Sequence, residues 1–184
     1  MVSIFTLWLP ILLSAAAVFI ISSIIHTLLG YHNSDFGKVP SEDQLMSDLQ
    51  KLNIPPGDYL VPCPGSNRQR KSPEFQEKMK RGPAALITIF PMPVKMLPSL
   101  VSWFLYCILA GIFAAYIAGR ALAPGADYLQ VFRFAGCTAF IGYSLALFQN
   151  SIWFNRKWSA TFKSMFDGLI YGLITGGIFG WLWP

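Results

Sequence analysis

Charge is what this chain most lacks. Asp, Glu, Lys and Arg make up 12% of its 184 residues, against about 25% in a soluble domain. Half the usual charge cannot solvate a globular surface, which excludes a soluble enzyme, and 54% hydrophobic residues with 15% aromatics exclude a disordered chain. Cysteine is sparse as well. Cys63 stands alone between Pro62 and Pro64, and Cys107 and Cys137 lie in apolar runs, so there is no disulfide framework and no CxxC motif. Enzyme motifs are missing: no GxSxG, no GxxxxGK[ST], and no GxGxxG after a strand. What is present, at a mean hydropathy of +0.47, is the composition of an integral membrane protein. The net charge of +5 is no nucleic-acid signal, because basic loops are what membrane orientation demands, and no nucleic-acid partner is expected.

The gaps between charges locate the spans. No charged side chain occurs from Met1 to Ser34, from Met96 to Gly119, from Phe134 to Asn155, or from Gly168 to Pro184. A helix needs about 20 apolar residues to cross the hydrocarbon. The reading is therefore an all-α integral membrane protein with four transmembrane helices, at about 6–29, 98–119, 129–150 and 163–183. Residues 1–30 form the first transmembrane helix, 31–97 a loop subdomain, and 98–184 a three-helix transmembrane bundle. Trp8, Trp103, Trp153, Trp158, Trp181 and Trp183 fall near helix ends, where indole prefers the interface. Ala15-Ala16-Ala17 resembles a signal cleavage site, but no basic stretch precedes the apolar run, which continues to Leu29. The first segment reads as a retained anchor.

Four spans place the 31–97 loop and the loop after the third helix on one side. Lys38, Lys51, Arg68, Arg70, Lys71, Lys78, Lys80, Arg81, Lys95, Arg156, Lys157 and Lys163 lie on that side, against Arg120 and Arg133 on the other. The positive-inside rule then makes the 31–97 loop cytoplasmic and both termini external. Within the loop, Ser41 and Gln44 have the spacing of a capping box for a helix carrying Leu45, Leu49 and Leu52. Asp58–Val61 reads as a strand, Ser72-Pro73 opens a second helix, and Ala84–Phe90 is a second strand. This small α+β unit has too little core to stand alone. Its basic cluster, Arg68, Arg70, Lys71, Lys78, Lys80 and Arg81, suits anionic lipid headgroups.

Small residues recur at helical spacing. Gly168, Gly172, Gly176 and Gly180 make a strip on the last span, a glycine zipper. The second span carries the row Ala110, Ala114, Ala118 and beside it Gly111, Ala115, Gly119; the third has the looser set Gly136, Ala139, Gly142, Ala146. Such faces let helix backbones approach closely, within the chain or against another copy. Ionisable residues within the spans are few. Arg133 has Asp127 as a nearby partner, and Lys163 and Asp167, four apart, can share a face. His26, His32 and Asp35, where the first helix leaves the membrane, are the one set resembling a metal site. Two imidazoles and a carboxylate suit zinc or iron, but the spacing matches no established motif. Interfacial hydrogen bonding is the simpler reading, with a bound lipid, chromophore or haem as the remaining alternative, and no cofactor is expected.

The segments His26–Asp35 (HTLLGYHNSD), Ser72–Gly82 (SPEFQEKMKRG), Trp103–Cys107 (WFLYC), Ala118–Gly125 (AGRALAPG), Asp167–Tyr171 (DGLIY) and Phe179–Pro184 (FGWLWP) resemble a family of small bacterial inner-membrane proteins. The resemblance implies a bacterial inner-membrane location; it implies no activity and no functional residues. Small size, glycine-rich helices and the absence of a catalytic set lead to a non-catalytic accessory or assembly subunit of a larger inner-membrane complex, such as an energy-transducing one. Its partners are membrane lipids and other integral membrane subunits or further copies of itself. The alternatives are a small transporter or channel component, and a metal-dependent membrane enzyme using His26, His32 and Asp35.

Overall fold

The computed structural model describes all 184 residues. In chain order it contains a 3-10 turn at Ile4–Leu7, α1 at Trp8–Leu28, a 3-10 turn at Tyr31–Ser34, α2 at Glu42–Leu52, β1 at Gly57–Val61, α3 at Asn67–Arg70, α4 at Pro73–Arg81, β2 at Ala85–Ile89, α5 at Met96–Ala121, α6 at Tyr128–Ser144, a 3-10 turn at Leu145–Leu147, α7 at Phe148–Phe154, and α8 at Trp158–Trp181. The chain divides into two compact units, Met1–Gly37 with Met96–Pro184, and Lys38–Lys95.

Three stretches of the first unit, Ile4–Leu28, Met96–Ala121 and Tyr128–Phe154, are long and apolar enough to cross a membrane. The protein is thus a mostly helical membrane protein with a small two-stranded sheet. α8 matches these stretches in length, at 24 residues, but not in apolarity, because its glycines, Lys163 and Asp167 dilute its hydrophobic content. It starts at Trp158, earlier than the charge pattern implies, so Lys163 lies inside the helix rather than at its edge. The third stretch also runs past the expected end near 150, continuing through the Leu145–Leu147 turn to Phe154.

The helices close in a ring: α1 touches α5 and α8, and α6 touches α5 and α8, with α6 against α8 the most extensive pair. The interior is built from small residues. Ala114, Ala115, Ala118 and Ala135 pack with Leu7, Ile11, Val131 and Phe179 toward one end, and Ala15, Ala110 and Ala139 with Val18, Cys107, Tyr143 and Tyr171 toward the other. Large apolar side chains such as Leu105, Leu109, Phe113, Ile141, Leu169 and Leu173 point outward. In lipid this inversion costs little, since helix association rests on close packing rather than on removing apolar surface from water.

The small-residue rows of α5 and α8 face different neighbours. Gly111 and Gly119 on α5 lie against Ile11 and Val2 of the N-terminal segment, while Gly136 on α6 lies against Gly172 and Gly176 on α8. The looser set expected on the third helix is only half used: Gly136 and Ala139 are interior, whereas Gly142 and Ala146 are exposed. A helical row identifies a face of constant azimuth, and Gly142 and Ala146 drift off the azimuth that α8 covers.

In the second unit β1 pairs antiparallel with β2, Gly57 opposite Ile89 and Val61 opposite Ala85. Ser72 caps α4 by accepting from the Phe75 amide at 3.2 Å, with Pro73 in the first turn. The capping box expected at Ser41 does not form. Its side chain makes no cap bond, and Gln44 instead donates to Asp48 one turn on, at 2.9 Å. Ser66 caps the short helix α3, its hydroxyl accepting from the Gln69 amide at 3.2 Å. None of residues 38–95 is buried, as expected where so short a segment has little interior to enclose.

Candidate functional site

The polar residues of the first unit gather where α1 ends. Gly30 takes a left-handed conformation, φ 64°, which a side chain would disfavour. The chain there reverses into the Tyr31–Ser34 turn, closed by the Asn33 amide on the Gly30 carbonyl at 3.0 Å and the Asp35 amide on the His32 carbonyl at 2.9 Å. This turn lays Tyr31 and His32 against the first half of α8.

His32 is held from both sides. Its Nδ1 lies 2.7 Å from Asp35 Oδ2 and its Nε2 lies 2.8 Å from Asp167 Oδ2. The Tyr31 hydroxyl donates to the other oxygen of Asp167, Oδ1. Lys163, one turn before Asp167, donates to the Tyr31 carbonyl at 2.6 Å, to Ser34 Oγ at 2.7 Å and to Asp35 Oδ1 at 3.1 Å. The His26 ring, from the last turn of α1, stands 4.6 Å from the His32 ring. The donor atoms of His26, His32 and Asp167 all lie within 4.8 Å of one another.

Both carboxylates are buried; Asp35 and Asp167 side chains are only 5% and 4% exposed. Burial opposes the charge on Asp35, but the hydrogen bonds and charges of His32 and Lys163 outweigh it and hold the carboxyl below the ordinary aspartate range. Burial, reinforced by the hydrogen bond to Asp167 and by the two carboxylate charges, pushes the Tyr31 hydroxyl well above the ordinary phenol range. Tyr31 therefore stays a neutral donor.

Deeper in the helices lies a layer of aromatic rings. Tyr171, one turn beyond Asp167, packs on Tyr143 with centroids 5.4 Å apart and on Trp103 at 6.0 Å. Trp103 Nε1 donates to Ser22 Oγ at 2.8 Å, while the buried Tyr171 hydroxyl has no hydrogen-bond partner.

The expected set of His26, His32 and Asp35 is thus rearranged. His26 and His32 come together, but Asp35 occupies the opposite ring nitrogen of His32, and Asp167 takes the place beside the two imidazoles. The same-face pairing of Lys163 with Asp167 gives way to Lys163 with Asp35. Tyr31 was invisible in the sequence beyond standing between Gly30 and His32. Asp127, expected near Arg133, instead caps α6, accepting from the Leu129 amide at 3.1 Å.

The basic cluster of the second unit sits on two consecutive short helices, Arg68 and Arg70 on α3 and Lys78, Lys80 and Arg81 on α4, with Lys71 between them. Lys78 is paired with Glu74 at 3.4 Å. Comparison with protein-family models, curated proteins and solved structures finds no match.

Proposed function

We propose that this chain is a four-span inner-membrane protein of bacterial type that serves as a non-catalytic accessory or assembly subunit, packing against other integral membrane subunits. The observation that carries the reading is the closure of the helical unit. An added Cβ on Gly172 would stand 2.9 Å from the Gly136 carbonyl oxygen, and one on Gly176 2.7 Å from the Phe132 carbonyl oxygen. Backbones in such contact leave no path for a solute between α6 and α8, which counts against the transporter or channel alternative. A solid body with an apolar exterior is suited to packing beside other helices in lipid.

Support for a fourth span comes from the two ends of α8. Lys163 near its start bonds the Tyr31–Asp35 turn, and Pro184 just past its end accepts from the Gly125 amide at 2.6 Å in the α5–α6 connection. The helix therefore runs the length of the unit, and 24 residues span about 36 Å, enough for a hydrocarbon core of about 30 Å. The excess of Lys and Arg on 31–97 and 155–163 supports a cytoplasmic placement of both loops, and the α3–α4 basic cluster supports contact with anionic headgroups.

The test is purification of the full chain from its native membrane in mild detergent. Stable co-purification with larger membrane subunits in fixed ratio is expected. Recovery only as a free monomer or homo-oligomer would overturn the accessory role. One observation favours the metal-dependent alternative, the His26–His32–Asp167 grouping.

A further inference from the structure

We propose that His26, His32 and Asp167 bind one divalent transition-metal ion of the zinc class, with Asp35 and Tyr31 fixing the two inner ligands from behind. The proposal is independent of the accessory role: a metal here would pin the Tyr31–Asp35 turn to α8 whatever the protein assembles with.

The first ground is distance. Bonds of about 2.0–2.2 Å in tetrahedral geometry set donor atoms about 3.4 Å apart. The three donors already lie within 4.8 Å of one another, so small side-chain rotations complete the set. The second ground is orientation. Nδ1 of His32 faces Asp35, and Oδ1 of Asp167 takes the Tyr31 hydroxyl. The atoms left over, Nε2 and Oδ2, lie 2.8 Å apart, a direct hydrogen bond that must open to about 3.4 Å to admit an ion. A metal-bound histidine characteristically donates its other N–H to a carboxylate, which selects the tautomer and raises ligand basicity. Lys163 in turn anchors Asp35.

The third ground is donor chemistry. Two nitrogens and one oxygen favour zinc or iron over calcium or magnesium, which prefer all-oxygen sites. Three protein ligands leave a fourth position for water or another ligand.

The experiment uses the tag-free full chain in detergent, stripped with chelator, with exposed Cys63 and Cys137 changed to serine so that no thiol competes. Zn2+ is titrated in, and bound metal and thermal midpoint are both read. Expected are one zinc per chain, a rise in midpoint with zinc concentration through mass action, and loss of both responses in His26→Ala and Asp167→Asn. Asp35→Asn should weaken binding by about 10–100-fold without abolishing it. His26 is exposed, so its alanine variant keeps the fold and remains decisive even if Asp167→Asn does not. Absence of saturable zinc at one equivalent, or binding unchanged in His26→Ala, overturns the site. The cluster would then be a hydrogen-bonded bridge from Asp35 through His32 to Asp167.

Discussion

Lys163 holds together three groups that no other side chain serves in combination: the Tyr31 carbonyl, the Ser34 hydroxyl and the Asp35 carboxylate. Lys157 on the same helix end makes a single contact, to the Ser34 carbonyl at 3.3 Å, and is exposed. Removing Lys163 leaves a buried carboxylate without its cation, and stranded buried groups cost more than their bonds contribute. Lys163→Ala should therefore destabilise the protein by about 1–3 kcal/mol, and Lys157→Ala by no more than about 0.5 kcal/mol, measured by thermal unfolding in detergent. Equal melting of the two variants would mean that the turn is not held by Lys163. At this scale the sequence was partly legible. His26 and His32 stood out by rarity and position, and Lys163 and Asp167 by their spacing of four. Which carboxylate meets which cation depends on how far the Gly30 reversal carries the chain, and that distance is a tertiary quantity with no signature in residue spacing.

Among the elements, α8 carries the sharpest contrast between neighbouring positions. An added Cβ on Gly176 would meet the Phe132 carbonyl oxygen at 2.7 Å and Gly136 Cα at 3.1 Å, whereas one on Gly177 would meet only the Tyr128 hydroxyl, at 3.7 Å. The first contact is with backbone, which cannot yield without separating the helices; the second is ordinary van der Waals distance. Gly176→Ala should thus destabilise the helical unit by about 1–3 kcal/mol, as overpacking does, and Gly177→Ala should leave it unchanged. Gly172→Leu should be worse than either, with Leu173→Ile, on the exposed side of the helix, as a silent control. Melting curves of the four variants decide it, and a Gly176→Ala protein as stable as the parent would show that the α6–α8 contact can open. The spacing of the glycines made the face legible from the sequence. Its partner was not, because three helices offered small rows and spacing fixes only a face, never the neighbour that covers it. The ends of the elements slipped for a related reason: charge gaps mark where polar side chains begin, whereas α6 continues through a 3-10 turn into α7 on the strength of tertiary contacts such as Ser151 with Thr161 at 2.7 Å.

For the whole molecule, the two ends of the helical unit differ in what they gather. At one end the Val2 amide donates to the Gly119 carbonyl at 2.8 Å and the Gly125 amide to the Pro184 carbonyl at 2.6 Å, so both chain termini lie beside the α5–α6 connection, with Arg120 close by. At the other end the Tyr31–Asp35 turn meets Lys157 and Lys163. A helical unit with this polarity, placed across a membrane, puts its termini on one side and its basic turn on the other, and lysine and arginine favour the cytoplasm at roughly short-loop range. Reporter fusions after Lys51 and after Lys157 should then both read cytoplasmic, and a fusion at Pro184 should read external. The readout at Pro184 is the discriminating one. Should α8 lie along the interface instead of crossing, the Pro184 fusion would share the side of Lys157. Should the orientation be reversed, all three signals would invert together. Only cytoplasmic signals at both Lys51 and Lys157, with an external one at Pro184, are compatible with four crossings and a cytoplasmic 31–97 loop.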